Sequence, residues 1–500
     1  MKLSKLIAGM ETLNRTENLD VEISGISIDH RNVKTGDLFV CIKGYQVDGH
    51  EYMEGALQNG AVALIVQKDL ALLPPGIPSI QVENCREALA FIATRFYECP
   101  SKQFKLVGIT GTKGKTTSSY MVRAIAQEAG CRTGMIGTVE TFIYDEIEKT
   151  KETTPGALDL QRLFSRMNKK NVDFVVMEVS SQGLALDRVK YSDFDIGVFS
   201  NLYRDHISEN EHSNMEEYLE AKLKLFNNCK TGIVNADCDV FQTVKSRAKC
   251  SLITYAINQE ADVRATEIEN IRSGNRMSVR FRALTPWFDE WIDVGMPGAY
   301  NVYNALSAIA VSGFCGFPIK CIKNELKDIR VRGRIEPVDA GQDFVVLVDY
   351  AHNAASLKSL LEMLRTYKYE NMITVFGCGG DRAKDRRFDM GEVSGEYSDL
   401  TIITSDNPRS EDPASIMKDI ETGIRRTNGN YVKIEDRGAA IQFAVRTAKR
   451  GDLVVIAGKG HETTQTFKDK VICFDDVDVA YNAILFDQQI RKGDSHEDFC

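Results

Sequence analysis

Two sets of four apolar runs, each closing on a polar or glycine-bearing loop, constrain this chain more than any other feature. The first set is "KLVGIT", "FVVMEVS", "IGVFSNL" and "TGIVNAD"; the second is "FVVLVDYAHN", "MITVFGCGGDR", "LTIITSDNPR" and "DLVVIAGKGHE". Helical stretches alternate with the runs. That alternation gives βαβ units around a mostly parallel sheet, so the fold class is α/β. Ligand crevices in such sheets lie outside the carboxyl ends of the strands, so the four loops of the second set should share one rim. Any one of those loops alone is most simply a solvated turn.

Five hundred residues exceed what one core holds, and the runs divide them. Residues 1–100 carry shorter strands such as "DLFVCIKG" and "AVALIVQK", and "ECPSKQF" around Cys99-Pro100 reads as a linker. The second set begins near Val331. The expected domains are therefore 1–100, 101–331 and 332–500. A net charge of −9 without a Lys/Arg cluster leaves no electrostatic footprint for nucleic acid. "MKLSKLIAGMETL" reads as an amphipathic helix rather than a signal peptide, and no run approaches the ~18 apolar residues of a membrane span. The twelve cysteines are scattered, with no C-x-x-C pair, which fits a reducing cytosol and a cytoplasmic protein.

The stretch "KLVGITGTKGKTTSSYM", 105–121, joins a strand to a helix through Gly, Thr and Lys. Glycines let backbone N–H groups converge on an anion, Lys115 supplies charge, and the Thr116 hydroxyl suits Mg²⁺. Yet the usual G-x-x-x-x-G-K-[ST] pattern wants glycine where Ile109 stands, and Gly108 is one residue early. The pattern alone leaves a phosphate cradle and an ordinary strand–helix turn both open. Nearby, Glu178 ends a second strand as a candidate Mg²⁺ ligand. Asp205 and His206 follow a third strand, and Lys222 sits on a helix among apolar neighbours.

"TGTKGKTT", "TTP" at 153–155, "EVSS", "NLYRDH", "YLEAK", "GAYNVYNAL", "RGRIEPV", "DYAHN" and "GKGHE" occur in one order. In that order the chain resembles the Mur ligases, the ATP-dependent amino-acid-adding enzymes of peptidoglycan synthesis, over nearly its whole length. The family's loop, [IV]-T-G-T-[NK]-G-K-T-T, accounts for the shifted glycine. The resemblance implies a three-domain architecture with a P-loop-type central parallel sheet and a Rossmann-like C-terminal domain, and a monomer. It also implies the member that adds the third residue to UDP-MurNAc-L-Ala-D-Glu. In that chemistry ATP phosphorylates the substrate carboxylate, and the incoming amine attacks the acyl phosphate. Cations must offset the repulsion between the two anions.

Carried residue by residue, the resemblance implies an ATP site of Gly111, Thr112, Lys113, Gly114, Lys115, Thr116, Thr117, Asn301, Asn304, Arg334 and Asp349. Thr116 and Glu178 would hold one Mg²⁺ and His206 a second, so Lys115, Glu178, His206 and Lys222 form the catalytic set. Lys222 falls on the family's carbamylated lysine (N6-carboxylysine), an amine that takes up CO₂ and so needs a lowered pKa. Thr153, Thr154, Ser180 and Arg188 match contacts to the UDP-linked substrate. "SIDHRNV" and "KGYQVDG" match the uridine loops and bring in Ile28, His30, Tyr45 and Gln46. For His352, after Asp349, a purely structural role is equally open.

The amino acid is implied by "TSDNPRSEDP". meso-Diaminopimelate carries a second carboxylate that L-lysine lacks, and a guanidinium matches it with two parallel hydrogen bonds. Asp406-Asn407-Pro408-Arg409 is the sequence of diaminopimelate-adding members, whereas lysine-adding relatives usually lack the arginine. Arg382 matches a second carboxylate contact, and Gly458 and Glu462 match contacts to the distal amino group. The same ligase adding L-lysine or another diamino acid is the near alternative. A non-catalytic nucleotide- or UDP-sugar-binding paralogue is the distant one. The chain departs from the family at Gly156-Ala157, at Gln182 and in "HISENEH", where His212 is a candidate replacement for a missing histidine.

Overall fold

The computed structural model describes residues 1–44, 47–205, 207 and 211–497. It divides into two compact units, one of residues 1–264, 285–287 and 306–322, the other of residues 265–284, 288–305 and 323 onward. The segment carrying Asn301 and Asn304 thus falls in the second unit.

The first unit opens with a five-stranded sheet. Gly25–Ser27, Asp37–Val40, Ala61–Val66 and Ser79–Gln81 run parallel, and Asn14–Arg15 pairs antiparallel at the edge. Only Leu3–Leu6 of the N-terminal stretch is helical. Ile7 caps that segment, and Leu3 and Leu6 go into the core. The Cys99-Pro100 stretch is a packed corner rather than a loose tether. Pro100 and Ser101 are buried, Asn168 Nδ2 donates to the Pro100 carbonyl at 3.0 Å, and Ser101 Oγ accepts from Asp193 N at 3.1 Å.

In the larger sheet of this unit, Ser251–Ala256, Cys229–Asn235, Phe194–Phe199, Lys105–Thr110, Phe174–Glu178 and Thr133–Ile136 lie side by side and parallel. Glu140–Ile143 and Glu146–Lys149 extend it antiparallel. Lys105–Thr110, fully apolar in its interior, is thereby central, and the chain leaves it into the helix Lys115–Glu128. Gly108 serves this packing and not the loop. A Cβ there would lie 2.6 Å from the Phe194 ring.

The second unit holds a six-stranded sheet in the order Glu336–Pro337, Val345–Asp349, Leu453–Ala457, Met372–Phe376, Leu400–Ile403, Tyr431–Lys433, parallel except at its first strand. Alternate residues feed two cores. Val345, Leu347, Phe376 and Val455 pack on one face, and Val346, Val348, Val375 and Ile456 on the other. A parallel sheet covered on both faces needs such unbroken apolar strands, which is why the sequence runs lack polar alternation. Among the described residues no helix is long and apolar enough to cross a membrane.

Candidate active site

Loop 110–115 is shaped by its backbone. Gly111 has φ +148°, and a Cβ there would fall 1.9 Å from Ser200 Oγ; Gly114, at φ +86°, opens the helix Lys115–Glu128. The next strand's exit clamps the turn from outside. Thr112 N donates to the Asn201 carbonyl at 3.1 Å and Lys113 N to Asn201 Oδ1 at 2.9 Å. Ser200 Oγ and Asn201 Nδ2 donate to the Lys113 carbonyl at 2.9 and 3.1 Å. Thr112 Oγ1 lies 3.1 Å from the Tyr218 hydroxyl and accepts from Tyr203 N at 3.0 Å. The clamp uses the N–H groups of Thr112 and Lys113, and the turn so held opens directly into the helix start at Lys115, whose first turn of N–H groups suits an anion.

Charge converges on the same loop. Lys115 Nζ donates to the Gly111 and Thr112 carbonyls at 2.9 and 3.1 Å, and Lys222 Nζ donates to the Gly111 carbonyl at 3.0 Å. Lys222, on the helix Met215–Asn228, is buried and lies 4.5 Å from the centre of the Tyr218 ring. Burial, and then Lys115, push its amine well below the usual lysine range. Across the loop, the buried Glu178 carboxylate accepts from Thr116 Oγ1 at 3.0 Å, Thr138 N at 2.8 Å and Thr138 Oγ1 at 3.0 Å. Its backbone carbonyl accepts from Thr154 Oγ1 at 3.0 Å, which itself accepts from Ser180 N at 2.9 Å.

Lys115, Lys222, Thr153, Thr154, Ser180 and Arg188 all line one cavity of about 250 Å³. Arg188 donates to the Glu152 carboxylate at 2.6 Å and the Thr154 carbonyl at 2.7 Å. Gln182, one of the departures from the family pattern, lines the same cavity. His212 is buried with its ring 5.1 Å from that of Tyr218, beside the helix of Lys222. Ile28 is exposed, and His30 stacks on Tyr52 at 4.6 Å in the N-terminal sheet region. Tyr45, Gln46 and His206 lie outside the described residues.

In the second unit, the four loops expected to share a rim do so. Gly458 N donates to the Asp349 carbonyl at 3.1 Å, and Gly380 N to the Asn407 carbonyl at 2.9 Å. Arg409, at φ +52°, donates from Nη1 to the Gly380 carbonyl at 2.7 Å. Asn407 Nδ2 donates to Glu462 Oε2 at 2.7 Å, and Asp406 and Pro408 beside it are buried, whereas Arg382 is exposed. Burial pushes the Asp406 carboxyl up, with Arg437 and Lys459 opposing. Asp349 is also pushed up by burial, although Arg334 and the N–H groups of Ile335 and Ala351 hold its charge. The Arg334 guanidinium lies 4.7 Å from the Tyr350 ring centre, and His352 and His461 flank that ring at 4.6 and 4.8 Å. Asn301 and Asn304 are buried and joined side chain to side chain at 3.0 Å.

Ser200, Asn201, Tyr218 and Thr138 organise the first site, and Lys459 and Tyr350 the second, without having been singled out from the sequence. Most stand inside stretches that were, "NLYRDH", "YLEAK", "DYAHN" and "GKGHE".

Comparison with known proteins bears on both sites. Family models match residues 22–97 (Mur ligase family, catalytic domain), 109–312 (Mur ligase middle domain) and 333–460 (Mur ligase, glutamate ligase domain). The UDP-N-acetylmuramoyl-L-alanyl-D-glutamate--2,6-diaminopimelate ligase of Caldanaerobacter subterraneus subsp. tengcongensis is 44% identical over 480 residues, 96% of this chain and 98% of its own. A solved structure of a ligase with that name matches with a TM-score of 0.70 at 29% identity, covering 97% of this chain and 98% of the other. The MurF ligase of Thermotoga maritima, solved in complex with ADP, shares the fold at 17% identity and a TM-score of 0.59, covering 95% of this chain and 100% of the other.

Proposed function

The chain belongs to the Mur ligase family, and from that premise we propose that it joins meso-diaminopimelate to UDP-MurNAc-L-Ala-D-Glu in an ADP-forming amide ligation of peptidoglycan synthesis. The observation that carries the reading is the meeting of two lysines, Lys115 and Lys222, on the carbonyl of one phosphate-type loop, at 2.9 and 3.0 Å. A helix-opening turn needs one cation to hold phosphates. A second, buried beside it with its amine held toward the neutral form, suits modification by CO₂.

The residues present fit the groups the family uses. Gly111, Thr112, Lys113, Gly114, Lys115, Thr116 and Thr117 would hold the phosphates of ATP. The Thr116 hydroxyl and the Glu178 carboxylate, 3.0 Å apart, are hard oxygen donors suited to Mg²⁺. When bound, ATP and Mg²⁺ supply the phosphoryl group that activates the substrate carboxylate and the charge that offsets its repulsion. Lys222 would take up CO₂ and extend that charged cluster as a carbamate, with His206 as a further metal ligand. Thr153, Thr154, Ser180 and Arg188 would orient the UDP-linked carboxylate in the cavity. Ile28, His30, Tyr45 and Gln46 would hold the uridine end, and Asn301, Asn304, Arg334 and Asp349 the nucleotide.

At the rim, Arg409 and Arg382 would meet the distal carboxylate of the amino acid, while Asn407, Gly458 and Glu462 take its distal ammonium. Rejecting lysine follows, because an arginine built for a carboxylate loses its partner when the carboxylate is missing. The 44% identity to a diaminopimelate ligase favours this amino acid over lysine. The need for ATP and the free cysteines among the described residues support a cytoplasmic reaction. The test is phosphate release from ATP, Mg²⁺ and UDP-MurNAc-L-Ala-D-Glu with each amino acid in turn. Release with meso-diaminopimelate alone is expected; release with L-lysine alone would discard the arginine argument and keep the ligase.

A further inference from the structure

Lys459 stands between two glycines in the loop 458–462, and its side chain is fully buried. An ammonium removed from water needs hydrogen-bond partners and an opposite charge. It has both. Nζ donates to Glu462 Oε2 at 2.9 Å and to Asn407 Oδ1 at 3.1 Å. These partners lie on different loops of the rim and are bonded to each other, Asn407 Nδ2 to Glu462 Oε2 at 2.7 Å.

The three bonds are mutually determining. Asn407 Oδ1 takes Lys459 Nζ and also Thr466 N, at 2.9 Å, so its amide nitrogen must turn to Glu462. Lys459 and Asn407 both donate to Oε2 of Glu462, and among the described residues no donor is bonded to Oε1. One carboxylate oxygen is thus anchored and the other is left as the acceptor for a ligand's ammonium.

We infer that Lys459 is a positioning residue for amino-acid recognition: from within the core it fixes the orientation of Asn407 and Glu462 and leaves Glu462 Oε1 as the acceptor for the incoming ammonium. The inference rests on the amino-acid assignment of this rim. Burial alone would raise the Glu462 pKa, and Lys459, by charge and hydrogen bond, is the largest influence lowering it, ahead of Asn407 and His461. The other charged or titratable groups facing this carboxylate are Asp406, Tyr350 and Arg437, contributed by three further elements. Asp406 disfavours the Glu462 charge, as would ionised Tyr350, and Arg437 is itself paired with Asp476, at 2.7 Å. Lys459 is the cation bonded to it.

The test compares wild type with Lys459→Met and Lys459→Arg, measuring KM for each substrate from pH 6 to 8.5. Lys459→Met should raise KM for meso-diaminopimelate about tenfold or more at neutral pH, with KM for ATP and the UDP-linked substrate within about twofold. The ratio of mutant to wild-type KM should grow as pH falls, because an unpaired buried Glu462 protonates first. Lys459→Arg should recover most of the loss. Should Lys459→Met fail to fold, Lys459→Gln, which can keep a donor without the charge, carries the same pH comparison. An unchanged amino-acid KM, or a pH-independent loss shared by all three substrates, would overturn the role. No turnover of wild type with meso-diaminopimelate would instead sink the substrate assignment, and the inference with it.

Discussion

Lys222 and Lys459 are both buried lysines, one in each unit, and they are held in opposite ways. Lys459 faces a carboxylate, with Glu462 at 2.9 Å. Lys222 has a carbonyl, that of Gly111 at 3.0 Å, and an aromatic face, while burial and a second lysine push its charge away against the weaker pull of Asp205. The same side chain is therefore used once as a fixed cation that organises its neighbours and once as an amine driven toward neutrality. The surroundings follow suit. Hydroxyl and amide groups of Ser200, Asn201 and Tyr203 clamp residues 112–113 of the phosphate loop beside two lysines on its carbonyls, whereas buried ion pairs shape the amino-acid rim.

The largest effect that could break this contrast is at Lys222. Lys222→Met should lower ligase activity by ~10²–10³-fold. The same change should stabilise the fold at neutral pH in CO₂-free buffer. Below the ordinary lysine value of 10.5 the unfolded chain holds this proton more firmly than the folded one, so wild-type stability rises with pH from the lowered folded pKa up to about 10.5. Denaturant titrations at several pH values should show the variant's advantage shrinking to nothing near that upper limit. An advantage that does not change with pH would mean Lys222 is held as a cation after all.

On the other side, Arg437 and Asp476 form an ion pair with both side chains fully buried, and Arg437 Nη2 also donates to the Ala457 carbonyl at 3.0 Å, beside Gly458. Removing one partner strands a charge, so Arg437→Met should destabilise the fold by ~3–5 kcal/mol, whereas Arg437→Met with Asp476→Leu should regain most of it. Urea unfolding of the two variants measures the difference. Equal losses would mean that packing, rather than charge pairing, holds the rim.

This difference also governs what the sequence revealed. The alternation of apolar runs made both parallel sheets legible, and the rim followed from the rule that parallel strands end on a common edge. The phosphate loop was readable as strand, glycine turn and lysine, and its shifted glycine through the family's loop; what was not readable is the reason for Gly108, which answers to the Phe194 ring on the neighbouring strand. Asn201 and Tyr218 escaped notice because their work, clamping residues 112–113, exists only once separate strands and helices come together. Lys459 was hidden differently. A lysine between two glycines reads as solvated, and only the fold shows it enclosed against Asn407 and Glu462.

Gly111→Ala sharpens the backbone side of the contrast. Residues other than glycine rarely adopt φ +148°, and the new Cβ would collide with Ser200 Oγ, which lies 1.9 Å from its position. Turnover should fall by about tenfold to a hundredfold through kcat and the KM for ATP, while the KM for meso-diaminopimelate stays unchanged. The loss should be the same from pH 6 to 8.5, unlike that of the rim variants, since no titratable group is altered.

The smallest effect tests whether neutral bonds suffice to hold the loop. Tyr218→Phe removes only the hydroxyl that meets Thr112 Oγ1 at 3.1 Å and leaves the ring beneath Lys222. Thr112 Oγ1 still accepts from Tyr203 N at 3.0 Å, so no group on the loop is stranded without a partner. The expected loss is ~1 kcal/mol of stability, with no more than a few-fold rise in the KM for ATP. Because the aromatic face remains, the pH dependence of stability attributed to Lys222 should persist unchanged. A Tyr218→Phe variant that lost that dependence would show the hydroxyl, rather than burial and Lys115, to be what sets the state of Lys222.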